Sequence, residues 1–182
     1  MKTLFTVACA CLFLTGCARP AAAGAADELH VGVRLTTGER SKDSNSQTTA
    51  ITVGRDAITW EQTFGGSGRR SRPALARKEF KLSPANRRSL IGLIESNDLL
   101  VTDSIKLPRA SSNYRYFEIS VDLTVGGKTG AINLSGMRTA AAVRGERLYQ
   151  NTLALVKELY RIMNAQDRSV YFEELILEPK GA

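Results

Sequence analysis

Residues 114–125 alternate so strictly that one kind of structure accounts for them. Phe117, Ile119, Val121, Leu123 and Val125 fall on one face, and Glu118, Ser120, Asp122 and Thr124 fall on the other. A period of two belongs to a β-strand with one side buried. Gly126-Gly127 follows, the two-residue signal for a hairpin turn, and Thr129 to Leu134 forms the returning strand. A strand with one polar face needs a covering layer on its apolar face only, which directs the chain toward an antiparallel sheet covered by helices.

The rest of the chain repeats that logic. From Glu28 to Thr37, the residues Leu29, Val31, Val33 and Leu35 share one face, and His30 falls on the outer one as a solvated strand residue. Gly38 to Gln47 is polar and rich in turn formers and reads as a loop. Short strands are predicted at Thr48–Val53, Ala57–Phe64 and Ala76–Leu82, with a Gly54-Arg55-Asp56 turn between the first two, and Trp60 reads as a packing residue of the second. Ser83-Pro84 marks a helix start, with a hydroxyl at the N-cap and proline at the first helical position. That helix carries Leu90, Ile91, Leu93 and Ile94, ends near Asn97, and is followed by Leu99-Leu100-Val101 and a polar connector containing Pro108. A second helix is predicted over Glu146–Asn164, with Leu148, Thr152, Leu155, Val156, Leu159, Ile162 and Met163 on its apolar stripe and a polar face of mixed charge. Mixed charge favours packing on the sheet over lying on a membrane. The expected fold class is α+β: an antiparallel meander sheet with two helices packed on it. Its single domain spans 28–166, and a C-terminal tail, 167–182, packs back against it.

Ahead of the domain, Lys2 and an apolar run from Leu4 to Leu14 have the layout of a secretory leader, about half the ~20 apolar residues a spanning helix needs. Leu14-Thr15-Gly16-Cys17 resembles the lipobox of bacterial lipoproteins. The resemblance implies a signal peptide over 1–16 and a lipidated Cys17 as the new N-terminus, with the protein held in the cell envelope by its acyl chains. Two or more chains make such attachment stable. Ala18, not Asp, follows the cysteine, which in Gram-negative bacteria implies the outer membrane, facing the periplasm. Ala18 to Asp27, alanine-rich with Pro20 and Gly24, reads as a tether spanning on the order of 17 Å.

Composition then excludes several chemistries. Cys9 and Cys11 leave with the leader and Cys17 is acylated, so no internal disulfide is expected. His30 is the only histidine, which rules out a His-rich metal site and leaves one residue to serve as base for any nucleophile. Glu118 and Asp122 stand roughly 13 Å apart along a strand, beyond the ~5–9.5 Å of glycosidase carboxylates, and read as a polar face. The expectation is a non-enzymatic protein with no cofactor and no metal.

Charge supplies the most distinctive segment. The chain carries a net +7. After the flexible Gly65-Gly66-Ser67-Gly68, the stretch Arg69–Arg88 holds eight cations against one anion, Glu79. Arg69, Arg70, Arg72, Arg77 and Lys78 are the candidate contacts for an anionic lipid, a polysaccharide or an acidic envelope protein. A solvated loop without a specific contact is the alternative reading. The envelope location disfavours nucleic acid, and the sequence specifies no oligomeric state.

The order of elements from Phe80 to Met163 carries a further resemblance. Leu82-Ser83-Pro84, Leu90 to Ile94, Tyr116 to Val125 and Leu153 to Leu159 resemble the corresponding segments of emfourin-type inhibitors of thermolysin-like metallopeptidases. These are fold-level signals, and no inhibitory residue is carried over with them. The resemblance implies an alternative function, again exerted by binding: inhibition of a thermolysin-type peptidase.

Overall fold

A computed structural model describes residues 28–40, 45–66, 74–106, 114–137 and 146–173. These form seven strands and two helices. The strands are β1 (Leu29–Arg40), β2 (Asn45–Val53), β3 (Ala57–Gly66), β4 (Ala74–Lys81), β5 (Thr102–Lys106), β6 (Tyr114–Val125) and β7 (Lys128–Met137); the helices are α1 (Pro84–Ser96) and α2 (Arg147–Asn164). The architecture is α+β, with one sheet in the order β4-β3-β2-β1-β6-β7-β5.

The sheet is mixed, which corrects the expected antiparallel meander. Neighbours from β4 through β7 run antiparallel, but β5 pairs parallel with β7, with Thr102 opposite Ala131 and Lys106 opposite Ser135. The segment expected to be a polar connector is therefore an edge strand. It shows no apolar alternation because only Ile105 is even half-buried, and its other four residues are exposed. An edge strand needs backbone pairing on one side and little burial. The loop expected over Gly38–Gln47 is also largely strand, since β1 and β2 stay paired out to Gly38 and Ser46. Backbone hydrogen bonds extend a hairpin through polar side chains once the apolar part has fixed its register.

That register separates the two faces cleanly. Across the middle of the sheet, Ile58, Val53, Val31 and Leu123 form one buried row, and Trp60, Ile51, Val33, Val121 and Ile132 form the next. The alternate positions lie on the other face, and His30, Arg34, Glu118 and Asp122 among them are exposed. Both helices cover the buried face. Tyr149 of α2 packs on Phe117 of β6, with ring centroids 5.9 Å apart, while Leu155, Val156 and Leu159 are fully buried. Each such side chain contributes roughly 1.5–3 kcal/mol through burial, so α2 is the main seal of the core.

Local chemistry fixes the connections. Gly126 and Gly127 take φ of 55° and 79°, the doubly positive pair of a type I′ turn, and Val125 lies opposite Lys128. The Ser83 hydroxyl accepts from the Asn86 amide at 3.1 Å, capping α1 as expected. At the other end Asp98 adopts φ 52°, and its amide and that of Leu99 return to the carbonyls of Glu95 and Ile94. This is the Schellman closure with aspartate where glycine is usual. The Asn151 amide also donates to the Asn97 carbonyl at 2.8 Å, joining the end of α1 to α2.

Beyond α2 the chain remains part of the domain. Val170 is buried, and Phe172 packs on Tyr160 with ring centroids 5.4 Å apart. The lipobox, Cys17 and the tether lie outside the described residues.

Candidate functional site

Toward the ends of β1, β2 and β3 that meet the 169–173 segment, the buried face of the sheet changes character. The row Trp60-Ile51-Val33 gives way to Gln62-Thr49-Leu35 and then to Phe64-Gln47-Thr37. Polar side chains thus occupy positions that the alternation assigns to the interior. They line two adjoining hollows. The inner one, about 260 Å³, is bounded by Leu35, Thr49, Trp60 and Gln62 on the sheet, by Tyr160 of α2, and by Ser169, Val170 and Tyr171 of the returning chain. The outer one, about 370 Å³, is bounded by Gly38, Asn45, Ser46, Gly65 and Arg115. Thr37, Gln47, Phe64 and Glu173 border both, so the two form a continuous cleft.

The inner floor is aromatic and hydrogen-bonding. Trp60 and Tyr160 are 7% and 6% exposed. Burial pushes the Tyr160 phenol up, and its hydrogen-bonding neighbours Trp60 and Thr49 offset part of that effect. The Trp60 Nε1–H is sealed from solvent in this cluster beside the Tyr160 phenol, without a hydrogen bond of good geometry. Thr49, also buried, accepts from Gln62 Nε2 at a long 3.5 Å. At the mouth stand two large rings, Phe64 and Tyr171, which are 46% and 72% exposed.

The expected contact residues take up different positions. Arg69, Arg70 and Arg72 lie outside the described residues, within the chain that joins Gly66 of β3 to Ala74 of β4. Arg77 and Lys78 are successive residues of β4 and so occupy opposite faces. Arg77 is on the open face with its Nε 3.4 Å from Glu61 Oε1, and Lys78 turns to the helix side, where its ammonium is 2.6 Å from both Asp167 Oδ2 and Ser169 Oγ. No single surface presents both.

Sequence reasoning did not reach the cleft. The available signal was the polarity of Thr49 and Gln62 at inward positions of the expected strands, joined by Gln47 once β2 is given its full length. Tyr160 falls outside the expected apolar stripe, and Trp60 was expected to serve packing alone. Glu118 and Asp122 lie on the exposed face.

Among the described residues no three or more His, Cys, Asp or Glu side chains are grouped to hold a metal ion, and no helix is long and apolar enough to cross a membrane. No family model and no curated protein matches the chain.

Proposed function

We propose that this is a lipid-anchored protein of the cell envelope that acts as a non-enzymatic binding module, held by Cys17 and contacting another envelope component at the cleft end of its sheet. The observation that carries the reading is the cleft. It is lined mainly by aromatic, amide and hydroxyl side chains, groups that hold and orient a ligand, with the largest exposed rings at its mouth. Concave sites with several converging polar groups are a usual form of small-ligand site. The segment carrying Arg69, Arg70 and Arg72 is joined to the strand ends beside Phe64, since Phe64 pairs with Ala74. Its three arginines are the candidate contacts for an anionic lipid or polysaccharide.

Two measurements test this. The full chain and its Cys17→Ser variant are compared for acyl labelling and membrane fractionation; the anchor requires that the variant lose both. The variant is then used as bait on native envelope at low and high salt. A partner retained at high salt supports a shaped site, and one retained only at low salt supports the cationic segment. Recovery of a thermolysin-type metallopeptidase, with stoichiometric loss of its activity, would instead favour an emfourin-like inhibitor. That alternative rests on the run from β4 through α1, β6 and β7 to α2.

A further inference from the structure

One wall of the inner hollow belongs to neither the sheet nor a helix. Ser169, Val170, Tyr171 and Glu173 form it, facing Leu35, Thr49, Trp60 and Gln62 of the sheet and Tyr160 of α2. We propose that the segment 167–173 is a displaceable strap that controls entry to this hollow, latched by Lys78. Thr49, Trp60 and Tyr160, each at most 7% exposed, are the surfaces that its opening would bare. The proposal rests on the binding-module reading above, which gives such an opening its use.

Strands are secured by ladders of backbone hydrogen bonds, and the strap is not. Among the described residues, 168–172 make no backbone hydrogen bond to the sheet. The Ser169 and Val170 amides instead donate back to the Asp167 carboxylate and carbonyl, at 2.9 and 3.1 Å, which gives the strap a shape of its own. Side chains hold it to the domain. The Lys78 ammonium reaches Asp167 Oδ2 and Ser169 Oγ at 2.6 Å each, and Asn164 Nδ2 donates to the Val170 carbonyl at 2.9 Å. Val170 is buried, and Phe172 lies on Tyr160. Just before the strap, Gln166 is bonded twice to the Lys81 backbone, so the chain is fixed there and pivots beyond it. A segment with one buried anchor and few backbone bonds opens at lower cost than a core strand. Its latch is open to solvent, with the Lys78 and Asp167 side chains 35% and 38% exposed, so salt screens it.

The test follows the full chain carrying Cys17→Ser by amide exchange at Val170 and by acrylamide quenching of Trp60, the single tryptophan. Exchange at Val170 should be roughly tenfold or more faster than at Val33 and Val121 of the central strands, and nearly independent of denaturant well below the unfolding transition. Added salt should quicken it. Lys78→Met removes the charge and keeps a long side chain; it should quicken Val170 exchange about threefold, remove most of the salt response and raise the quenching of Trp60, with circular dichroism like that of the parent. Val170→Ala is a second variant, expected to raise the quenching through loss of the anchor. Exchange at Val170 with the denaturant dependence of Val33 overturns the proposal, because the strap then opens only with the whole domain. So does quenching that neither variant changes, because the strap then does not gate the hollow. Capture of an envelope partner by a protein whose strap stays shut would leave the binding-module reading standing, so the two failures are distinct.

Discussion

Lys78 Nζ lies 2.6 Å from Asp167 Oδ2 and ties the edge strand β4 to the turn that follows α2. The contact joins residues 89 apart in sequence, and it occupies an ammonium whose sequence context points to an external anion. The Asp167 carboxyl is held down to about 2, first by Lys78 and then by the amide and hydroxyl of Ser169. A carboxyl whose value is depressed in the folded state adds stability above its unfolded value, and that contribution is lost as pH falls through the folded one. The contribution of Asp167 is therefore complete above about pH 4 and disappears toward pH 2. Denaturant melts of the parent and of Asp167→Asn should differ by a constant amount from neutrality to about pH 5, with the difference closing toward pH 2. A difference that persists undiminished at pH 2 would show that the pair is not the source.

Gln166 acts on the same edge of the sheet. Its Nε2 donates to the Lys81 carbonyl at 3.0 Å, and its Oε1 accepts from the Lys81 amide at 2.9 Å. The side chain thus occupies the place of a neighbouring strand at the last residue of β4. Exposed edges are templates for pairing with another chain. Gln166→Ala should cost about 1 kcal/mol, the order of one net hydrogen bond, and should raise self-association in sedimentation velocity as concentration increases. Gln166→Leu should do the same. A variant that stays monomeric at every concentration would assign the edge protection to other groups.

The limits of sequence reading follow from what each element needs. β6 and β7 were legible because burial of one face demands alternation, and α1 because Ser83 and Pro84 meet the chemical needs of a helix start. β5 was not legible, because an edge strand that buries almost nothing leaves no pattern. The cleft was missed for a different reason: Thr49 and Gln62 fell within the expected strands, but polar residues at inward positions carry no signal until the pairing of β2 with β1 and β3 assigns their face. The tie made by Lys78 joins distant positions, and sequence polarity describes its charge without its partner.

Gly130 is the trace that β5 leaves elsewhere. A Cβ at this buried position would stand 2.8 Å from the Leu99 carbonyl oxygen and 2.9 Å from the Leu100 Cα, both backbone atoms. The close approach lets the Ala131 amide reach the Val101 carbonyl at 2.8 Å, the bond that leads the chain into β5. Gly130→Ala must therefore displace the 99–101 segment. Overpacking of this kind costs roughly 1–3 kcal/mol, read as a lower denaturant midpoint at unchanged slope, with faster amide exchange at Ala131. Gly127→Ala separates this effect from turn strain: its added Cβ meets nothing within 4 Å and its φ is +79°, so it should destabilise without altering exchange at Ala131.

The cationic segment and the cleft predict opposite salt behaviour for the same partner. Arg69, Arg70 and Arg72 neighbour one another in sequence, and attraction between exposed charges decays over about 8 Å at physiological ionic strength. Reversing all three to Glu in the full chain should abolish capture of anionic vesicles at low salt and flatten the salt dependence of any envelope partner. The unmodified chain should lose that capture steeply as salt rises. Melting of the triple variant is measured alongside, and a loss of capture counts only where its melt matches the parent's. If vesicle capture survives the reversal, the cations are solvated without a contact, and the cleft beside Phe64 is left as the surface through which the domain binds.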